Sequence, residues 1–396
     1  MKTEASLSYD FVAPRQIVFG WGRRRELGRL ARTLGRRALV ICGSQTLLAQ
    51  GVIDQLFDTL RSAEVEPILL ETIRHEPEVD DVNRVAGEIR GRDVAAGDFL
   101  LAVGGGSAID LAKAAAAMAT NCESPTVKDY LENVGRDLKI SVPPLPVLAM
   151  PTTAGTGCEA TRNAVISSYD PPFKKSLRDP RIMPQIALID PELCVSVPPR
   201  VTAASGMDAI TQLIESYISR KAQPIPQALA VQGLRLAVAA ITEAVADGTS
   251  RAAREKMSHA ALLSGMALAN SGLGMAHGVA AALGIHCRVP HGVACAVMLP
   301  VALRVNRQLR QAELARLAHL LFRSSPTRAP EQAVAALLEK IDRLCDRVGV
   351  PRRLSGLGVT SAQIPAIVHS SRGSSMSGNP RDLSDEELAT ILEETL

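Results

Sequence analysis

Short apolar runs alternate with helix-like segments through the first half of the chain, and this alternation restricts the possible folds most strongly. The runs have the length and composition of buried strands and occupy residues 37–42, 67–71, 99–103, 145–150 and 186–190. Segments with helical spacing lie between the first four runs or precede them, at residues 24–34, 46–63, 80–90 and 108–119. A strand–helix–strand order predicts βαβ units and a parallel sheet, with crossover helices on its faces.

The second half of the chain changes character after a proline-rich stretch at residues 191–199. Beyond it nearly every segment is predicted to be helical, in the ranges 205–220, 228–246, 252–270, 275–283, 292–306, 311–323, 330–348, 361–370 and 385–395. A chain of 396 residues is too long for one compact core. We therefore expect an α/β domain at residues 1–196 and an all-helical domain at residues 197–396, with a ligand cleft between them.

Three consecutive glycines follow the third apolar run, directly before a predicted helix. Gly104, Gly105 and Gly106 would let backbone N–H groups approach a phosphate closely, and the helix N-terminus adds positive potential. Ser107 and Asp110 open the helix and are candidate contacts for the same ligand. The alternatives are a tight turn that needs a positive φ and, for Asp110, a solvated first-turn carboxylate.

A second loop with small polar residues follows the fourth apolar run. Thr152 and Thr153 stand at its start. Ligands of open α/β sheets bind outside the carboxyl ends of the strands, so this loop is predicted to form another side of the same site. An ordinary Ser/Thr turn is the alternative. Lys174 is a candidate cation for phosphate or ribose, and a solvated surface lysine is its alternative.

The composition disfavours several kinds of partner. Charged residues make up 21% and apolar residues 46% of the chain, and the net charge is +3 without a dense basic run. Aromatic residues make up only 3%, which leaves few stacking platforms, so nucleic-acid binding is not expected. We expect no membrane span and no secretory leader. Seven cysteines without tight pairs favour a reducing cytoplasm.

Three of the seven histidines fall in one short, otherwise apolar stretch. His277 lies in a predicted buried helix, His291 opens the next one, and His286 lies between them. A buried imidazole needs a polar partner, because leaving it unsatisfied costs roughly 1–3 kcal/mol. A metal site and a pair of satisfied core histidines both fit this pattern. In an earlier predicted helix, Asp208 and Gln212 are four residues apart and share one face.

Several long motifs, taken together, are similar to those of one known family. They are GGGSAID at 104–110, PTTAGTGCE at 151–159, IDPEL at 189–193, SGMDAITQLIESYIS at 205–219, GMAHGVAAALG at 274–284 and VPHGVACAVMLP at 289–300. The chain resembles the iron-containing (group III) alcohol dehydrogenases, collinearly from residue 11 to the end. The resemblance implies a dehydroquinate synthase-like fold. Its α/β domain with a parallel sheet would bind the nucleotide, and its all-helical domain would bind metal and substrate.

The resemblance also implies an activity and a set of site residues. Its members are NAD(P)-linked enzymes that interconvert small alcohols and aldehydes, with Fe²⁺ or Zn²⁺ as a Lewis acid. The implied metal ligands are Asp208, Gln212, His277 and His291, and all except Gln212 are also the implied catalytic residues. The implied contacts of NAD or NADP are Ser44, Gly104, Gly105, Gly106, Ser107, Asp110, Thr152, Thr153 and Lys174. A homodimer or larger homo-oligomer in the cytoplasm is expected.

Two functional positions depart from the family pattern, and the serine of one family motif is replaced by Cys158. The second metal ligand is a histidine in the family and Gln212 here, and an amide oxygen is a weaker ligand than imidazole. A histidine near the reacting alcohol is replaced by Ala281, and His286 is the nearby imidazole that could take part. The turn at Ser44 lacks a carboxylate, so it is compatible with NADP. Two alternatives stay open: a metal-independent reductase of the maleylacetate reductase type, and a nucleotide-binding member without catalysis.

Overall fold

The computed structural model describes residues 8–92, 97–322 and 329–396. Its strands are β1 Gln16–Phe19, β2 Arg37–Cys42, β3 Glu66–Thr72, β4 Asp98–Gly104, β5 Val147–Pro151, β6 Asn163–Tyr169, β7 Pro172–Arg178 and β8 Ile186–Ile189. Its helices are α1 Leu27–Ala31, α2 Gln45–Ala49, α3 Val52–Ser62, α4 Val79–Arg90, α5 Gly106–Thr120, α6 Pro199–Ile218, α7 Pro224–Ala246, α8 Arg251–Ser271, α9 Met275–Cys287, α10 His291–Asn306, α11 Gln311–Phe322, α12 Pro330–Arg347, α13 Ile364–Ser370 and α14 Asp385–Thr395.

Six of the strands form one parallel sheet in the order β1-β8-β5-β4-β2-β3. Alternate residues of its central strands face opposite cores. Leu100 and Ala102 pack in the cluster that contains residues of α4 and α5, whereas Leu101 and Val103 pack with residues of α1 and α3. Every residue of β4 is buried, as expected for a strand covered on both faces. The predicted parallel α/β fold is confirmed.

The strand order reverses at β2, which is the topological switch point of the sheet. Glycines at this point allow a very close approach of two loops. Strand β3 lies on one side of β2 and β4 on the other, so ligands are expected outside their carboxyl ends. A Cβ on Gly104 would lie 2.9 Å from the Cα of Gly43 and 2.7 Å from the Cβ of Ala108. Only glycine therefore fits at the end of β4, where helix α5 begins.

The sequence did not predict the antiparallel hairpin of β6 and β7. The pattern was obscured because both strands carry polar residues on one face and a short turn, Asp170–Pro171, joins them. Alternation of Ala164, Ile166 and the flanking polar residues was the available signal. The hairpin packs on α5 and α9 and places Lys174 between the two halves of the protein.

Several boundaries also differ from those predicted. One predicted helix at residues 46–63 is two helices, because Gly51 adopts a φ of +71° between α2 and α3. Helix α6 starts at Pro199, a residue that is tolerated in the first turn, rather than at residue 205. The last strand ends at Ile189 and the helical half starts at Pro199, and the division at residues 196 and 197 stays a prediction.

One helix of the helical half is long and apolar enough to cross a membrane by length and composition alone. This helix is α7, and α8 with α9 would qualify only if two helices that meet at 102° were counted as one span. A helix of this kind is weak evidence for a membrane span, because helices of protein cores pass the same test, and the expectation of no span stays a prediction. One face of α7, with Ala230, Leu234, Ala237 and Ile241, packs in the protein core against α6 and α8.

The two halves touch through backbone at Gly157, after β5, and Gly265, in α8. A Cβ on Gly265 would lie 2.1 Å from the carbonyl oxygen of Gly157. We expect Gly265→Ala to destabilise the protein by about 1–3 kcal/mol, because either the helix or the loop must move. Gly87→Ala in α4 is the matched control, since its Cβ would meet only the end of Arg90 at 3.8 Å.

Thermal unfolding of the two variants checks this prediction. Alanine favours both helices over glycine by up to about 1 kcal/mol, so Gly87→Ala should be neutral or stabilising. Equal melting temperatures for the two variants would contradict the claim that the contact between the halves is tight.

Candidate active site

Four side chains from three helices converge at the junction of the halves. Asp208, His277, His291 and Cys295 each offer one ligand atom, and these atoms lie within 4.8 Å of one another. His277 Nε2 is 3.1 Å and His291 Nε2 is 3.9 Å from Asp208 Oδ1. The two imidazole rings meet edge to face with centroids 5.6 Å apart. The structure thus brings together the three residues that the sequence selected from separate segments.

The starts of α9 and α10 place the two histidines. His277 lies in the first turn of α9, and His291 is the first residue of α10. The start of α10 can pack closely on α6 because residue 292 is glycine: a Cβ on Gly292 would lie 2.5 Å from the carbonyl oxygen of Ala204. Close packing therefore directs both helix starts at the middle of α6, where Asp208 is buried.

Glu215 holds His277 in place, a role that was not predicted from the sequence. It lies on the same face of α6 as Asp208, seven residues later. Its carboxylate accepts hydrogen bonds from the backbone N–H of Ala276 and from His277 Nδ1, both at 2.7 Å. With the proton on Nδ1, the lone pair of Nε2 points at Asp208. A carboxylate that orients a histidine in this way is a regular partner of metal-binding histidines.

The charges around His277 favour a cation. Burial alone would lower the pKa of His277, but the Cys295 sulfur and the carboxylates of Asp208 and Glu215 hold it well above its usual range. Burial would raise the pKa of Asp208, but the hydrogen bond from His277 and the nearby His291 keep it below its ordinary value. A proton or a metal ion can lie between His277 Nε2 and Asp208 Oδ1. Because the two compete for Nε2, metal affinity should fall as the pH falls below the His277 pKa.

His291 is in the opposite electrostatic situation. Burial, with the positive charge of Lys174 close by, lowers the pKa of His291 to about 4. A neutral imidazole is the form that binds metal ions. Its Nδ1 has no hydrogen-bond partner among the described residues, and its side chain is 26% exposed, so the cluster opens to the cavity on this side.

Gln212 is hydrogen-bonded to Asp208 and Ser264, which differs from the metal-ligand role that the resemblance implies. Its Oε1 accepts a hydrogen bond from Ser264 at 2.9 Å, and its Nε2 donates to Asp208 Oδ2 at 3.4 Å. The amide oxygen, which is the atom able to coordinate a metal, is therefore engaged by Ser264. The role of Gln212 as a metal ligand stays a prediction, and the observed contacts brace Asp208.

Most of the implied dinucleotide contacts line one of two cavities, and only the second of these is lined by residues of the cluster. One cavity is lined by Ser44, Gly105, Ser107, Thr152 and Thr153. The other is lined by Gly106, Ser107, Asp110, Lys174, His277 and His291. Ser107 lines both, so the glycine-rich loop connects the strand-end cavity to the cavity that contains His277 and His291. Gly104 ends β4 and is buried against Gly43.

Two of the implied dinucleotide contacts have protein partners that the sequence did not reveal. Asp110 is buried, pairs with Lys113 at 2.8 Å and accepts a hydrogen bond from the Val165 backbone, so the alternative of a solvated carboxylate was wrong. Lys174 pairs with Glu76 at 2.6 Å, and its side chain is only 6% exposed, so it is not a solvated surface lysine. Both residues line the cavity that contains His277 and His291.

Neither residue 281 nor His286 places an imidazole in the four-residue cluster. Ala281 lines the cluster cavity and contributes only a methyl group there. His286 lies on the far part of α9, where its Nε2 is hydrogen-bonded to the Ser370 hydroxyl at 2.7 Å. It is outside the four-residue cluster.

Three further residues of the site were not predicted from the sequence: Cys295, Glu215 and Glu76. Cys295 lies one helical turn after His291, and Glu215 lies two turns after Asp208, so helical spacing was a usable signal for both. Glu76 lies in the loop between β3 and α4, and no spacing rule connects it to Lys174.

Comparison with known proteins agrees with this arrangement. Residues 14–191 match the model of the iron-containing alcohol dehydrogenases, and residues 202–396 match that of the C-terminal domain of the Fe-containing alcohol dehydrogenase family. The chain belongs to the iron-containing alcohol dehydrogenase family. It is therefore an NAD(P)-dependent oxidoreductase that acts on CH–OH groups, with alcohol dehydrogenase or aldehyde reductase activity.

Individual relatives are similar over nearly their whole length. A 1,3-propanediol dehydrogenase of Klebsiella pneumoniae is 32% identical over 390 residues, which cover 97% of each chain. A lactaldehyde reductase of Escherichia coli K12 is 32% identical over 375 residues, 94% of this chain and 96% of the relative. The crystal structure of a 1,3-propanediol oxidoreductase superposes with a TM-score of 0.91 at 31% identity, and covers 98% of this chain and 100% of that one.

Removing the charge of Glu215 tests its role in placing His277. We expect Glu215→Gln to weaken Zn²⁺ binding about 10–100-fold, because the amide carries no charge and has only one acceptor oxygen for two donors, the Ala276 N–H and His277 Nδ1. Isothermal titration of the metal-free protein measures the dissociation constant.

Glu159→Gln is the matched control for this substitution. Glu159 is also buried, and burial raises the pKa of its carboxyl to about 7, but it is not a member of the metal cluster. An unchanged zinc affinity in Glu215→Gln would contradict the orienting role.

Proposed function

We propose that this protein uses a divalent metal at Asp208, His277 and His291 to interconvert a small alcohol and its carbonyl compound with NADP(H) as the hydride carrier. The convergence of one carboxylate and two imidazoles beside the glycine-rich loop is the observation that supports this proposal. The donor set suits Fe²⁺ or Zn²⁺, and its chemistry agrees with family membership.

The chain's own residues hold the reactants and exclude water. The backbone N–H groups at Gly105, Gly106 and Ser107, together with the start of α5, would bind the pyrophosphate. Thr152 and Thr153 would close the opposite side of that cavity. When bound, the dinucleotide supplies or accepts the hydride.

Asp208, His277 and His291 would hold the metal where the cavity opens at His291. Their positions are fixed before any ligand arrives, since Glu215 orients His277 and Gln212 braces Asp208. When bound, the metal supplies a Lewis acid that polarises the substrate oxygen.

Reduction also needs a proton for the alcohol oxygen, and Ala281 cannot provide one. The Lys174 ammonium faces the same cavity and donates to Glu76, whose side chain is 36% exposed. We propose that Lys174 Nζ holds the transferable proton and that Glu76 connects it to solvent.

Three wider properties belong to the same proposal. All seven cysteines lie in the described part of the chain and are free, which supports a cytoplasmic location. A homodimer or larger homo-oligomer and a domain division at residues 196 and 197 are proposed from the family resemblance. The substrate is proposed to be a small alcohol or aldehyde, as the names of the relatives indicate for those enzymes.

NADP(H) is proposed as the dinucleotide because of the turn after β2. Ser44 occupies this turn and caps α2, where its hydroxyl accepts a hydrogen bond from the Leu47 N–H at 3.3 Å. No carboxylate stands there to repel a 2′-phosphate, and Arg74 lines the same cavity as a candidate partner for that phosphate.

Substituting one histidine of α9 at a time tests the proposed function. We expect His277→Ala to lose its metal and to lower kcat/KM for NADPH-dependent reduction of a small aldehyde by about 100-fold or more. His286→Ala, on the same helix but outside the cluster, should keep both the metal and the activity. The measurements are metal content and the decrease in NADPH absorbance.

The same assay separates the alternatives. Full activity of a metal-free sample would support a metal-independent reductase. If NADPH binds but no aldehyde or keto acid in a broad panel is reduced, a member without catalysis is indicated.

The charge at position 44 tests the choice of dinucleotide. We expect Ser44→Asp to raise KM for NADPH by about tenfold or more and to leave KM for NADH nearly unchanged, because the carboxylate repels the 2′-phosphate. Ser44→Asn is the control, since asparagine and aspartate both cap helices but only aspartate adds a charge. Equal effects of the two substitutions on NADPH would contradict the assignment.

A further inference from the structure

The cluster contains a fourth possible donor, the Cys295 sulfur, beside the three implied metal ligands. Cys295 lies one turn into α10, directly after His291 along the same face. Its Sγ is 3.6 Å from His291 Nε2, and it lies within 4.8 Å of the ligand atoms of Asp208 and His277 as well. The Gln212 amide oxygen, in contrast, is engaged by Ser264.

These distances suit a single metal ion between the four atoms. A tetrahedral ion with metal–sulfur and metal–nitrogen distances of about 2.3 Å and 2.0 Å separates a sulfur from a nitrogen ligand by about 3.5 Å. The observed distance between Cys295 Sγ and His291 Nε2 is 3.6 Å. The distances of 3.1 Å and 3.9 Å from Asp208 Oδ1 to the two Nε2 atoms lie on either side of the value of about 3.4 Å expected for oxygen and nitrogen ligands.

The charge balance also favours coordination by this sulfur. Cys295 is fully buried, so a free thiolate there would be costly. On coordination the thiol gives up its proton to water and forms the metal–sulfur bond as a thiolate. One thiolate and the Asp208 carboxylate then neutralise the two positive charges of the ion in a site with little access to solvent.

We propose that Cys295 is the fourth protein ligand of the metal, in place of an imidazole at position 212, and that Gln212 only positions Asp208. This inference rests on the metal site proposed above. A thiolate, two imidazoles and one carboxylate form a set that suits tetrahedral Zn²⁺. The substrate oxygen would then be a fifth ligand, added on the side of His291, whose side chain is 26% exposed whereas those of Asp208 and His277 are 2% and 4% exposed.

X-ray absorption at the zinc edge tests the ligand directly in the unmodified full-length protein. The expected spectrum of the stoichiometric zinc form contains one sulfur neighbour at about 2.3 Å together with nitrogen and oxygen neighbours at about 2.0–2.2 Å. Bound zinc with only nitrogen and oxygen neighbours would overturn the assignment of Cys295 and leave the metal site intact. Failure of the protein to bind zinc at all would overturn both.

Substitution adds a test with a colour readout. Co²⁺-loaded protein should show a sulfur-to-metal charge-transfer band, and Cys295→Ser should abolish it and raise the Zn²⁺ dissociation constant about 100-fold. Cys345→Ser is the control, because Cys345 of α12 is also buried and lies outside the cluster, with its sulfur 4.0 Å from the carbonyl oxygen of Ala296 in α10.

The control should keep the band and the affinity. A band that persists in Cys295→Ser, or that is lost equally in both variants, would overturn the proposal. The absorption experiment on the unmodified protein decides the question if Cys295→Ser does not fold.

Discussion

The Glu215 carboxylate connects the middle of α6 to the first turn of α9, and the geometry of the site depends on this contact. One oxygen accepts the Ala276 N–H and the other accepts His277 Nδ1. The space for this carboxylate exists because residue 274 is glycine: a Cβ there would lie 2.7 Å from Glu215 Oε1. A single buried charge thus fixes the helix start, the tautomer of His277 and the direction in which Nε2 points.

Backbone atoms of both halves meet where the loop after β5 contacts the helical half. Gly157 and Gly265 bring the loop after β5 against α8, and Ser107 lines both the strand-end cavity and the cavity of the metal cluster. Because the two backbones touch at this point, a larger residue at Gly157 or Gly265 would move the α/β half relative to the helical half, and the glycine-rich loop relative to Asp208, His277 and His291. The fold therefore supports the chemistry mainly by fixing this separation.

The sequence predicted those features that depend on local pattern. The parallel sheet followed from apolar periodicity, and the glycine-rich loop followed from its place between a strand and a helix. The convergence of Asp208, His277 and His291 was predicted from the family motifs, and the described structure contains it. Helical spacing alone cannot show which face of a helix meets which neighbour, so Cys295 was overlooked although it stands one turn from His291.

Other features depend on contacts between distant segments, and no local pattern encodes them. Lys174 was predicted to meet a phosphate, but its partner Glu76 comes from a loop 98 residues away. Asp110 was predicted from its place in the first turn of α5, but the hydrogen bond that it accepts from the Val165 N–H comes from the unpredicted hairpin. Gln212 was assigned from its position in a motif, whereas Ser264 of α8 decides where its amide oxygen points.

Anomalous diffraction from crystals grown with Zn²⁺ and NADPH tests the central claim most directly. The account predicts one strong zinc peak enclosed by Asp208, His277 and His291, with the nicotinamide ring in the adjoining cavity and the pyrophosphate at the loop of Gly105 and Gly106. A zinc peak elsewhere, or a bound dinucleotide whose nicotinamide lies outside that cavity, would contradict it.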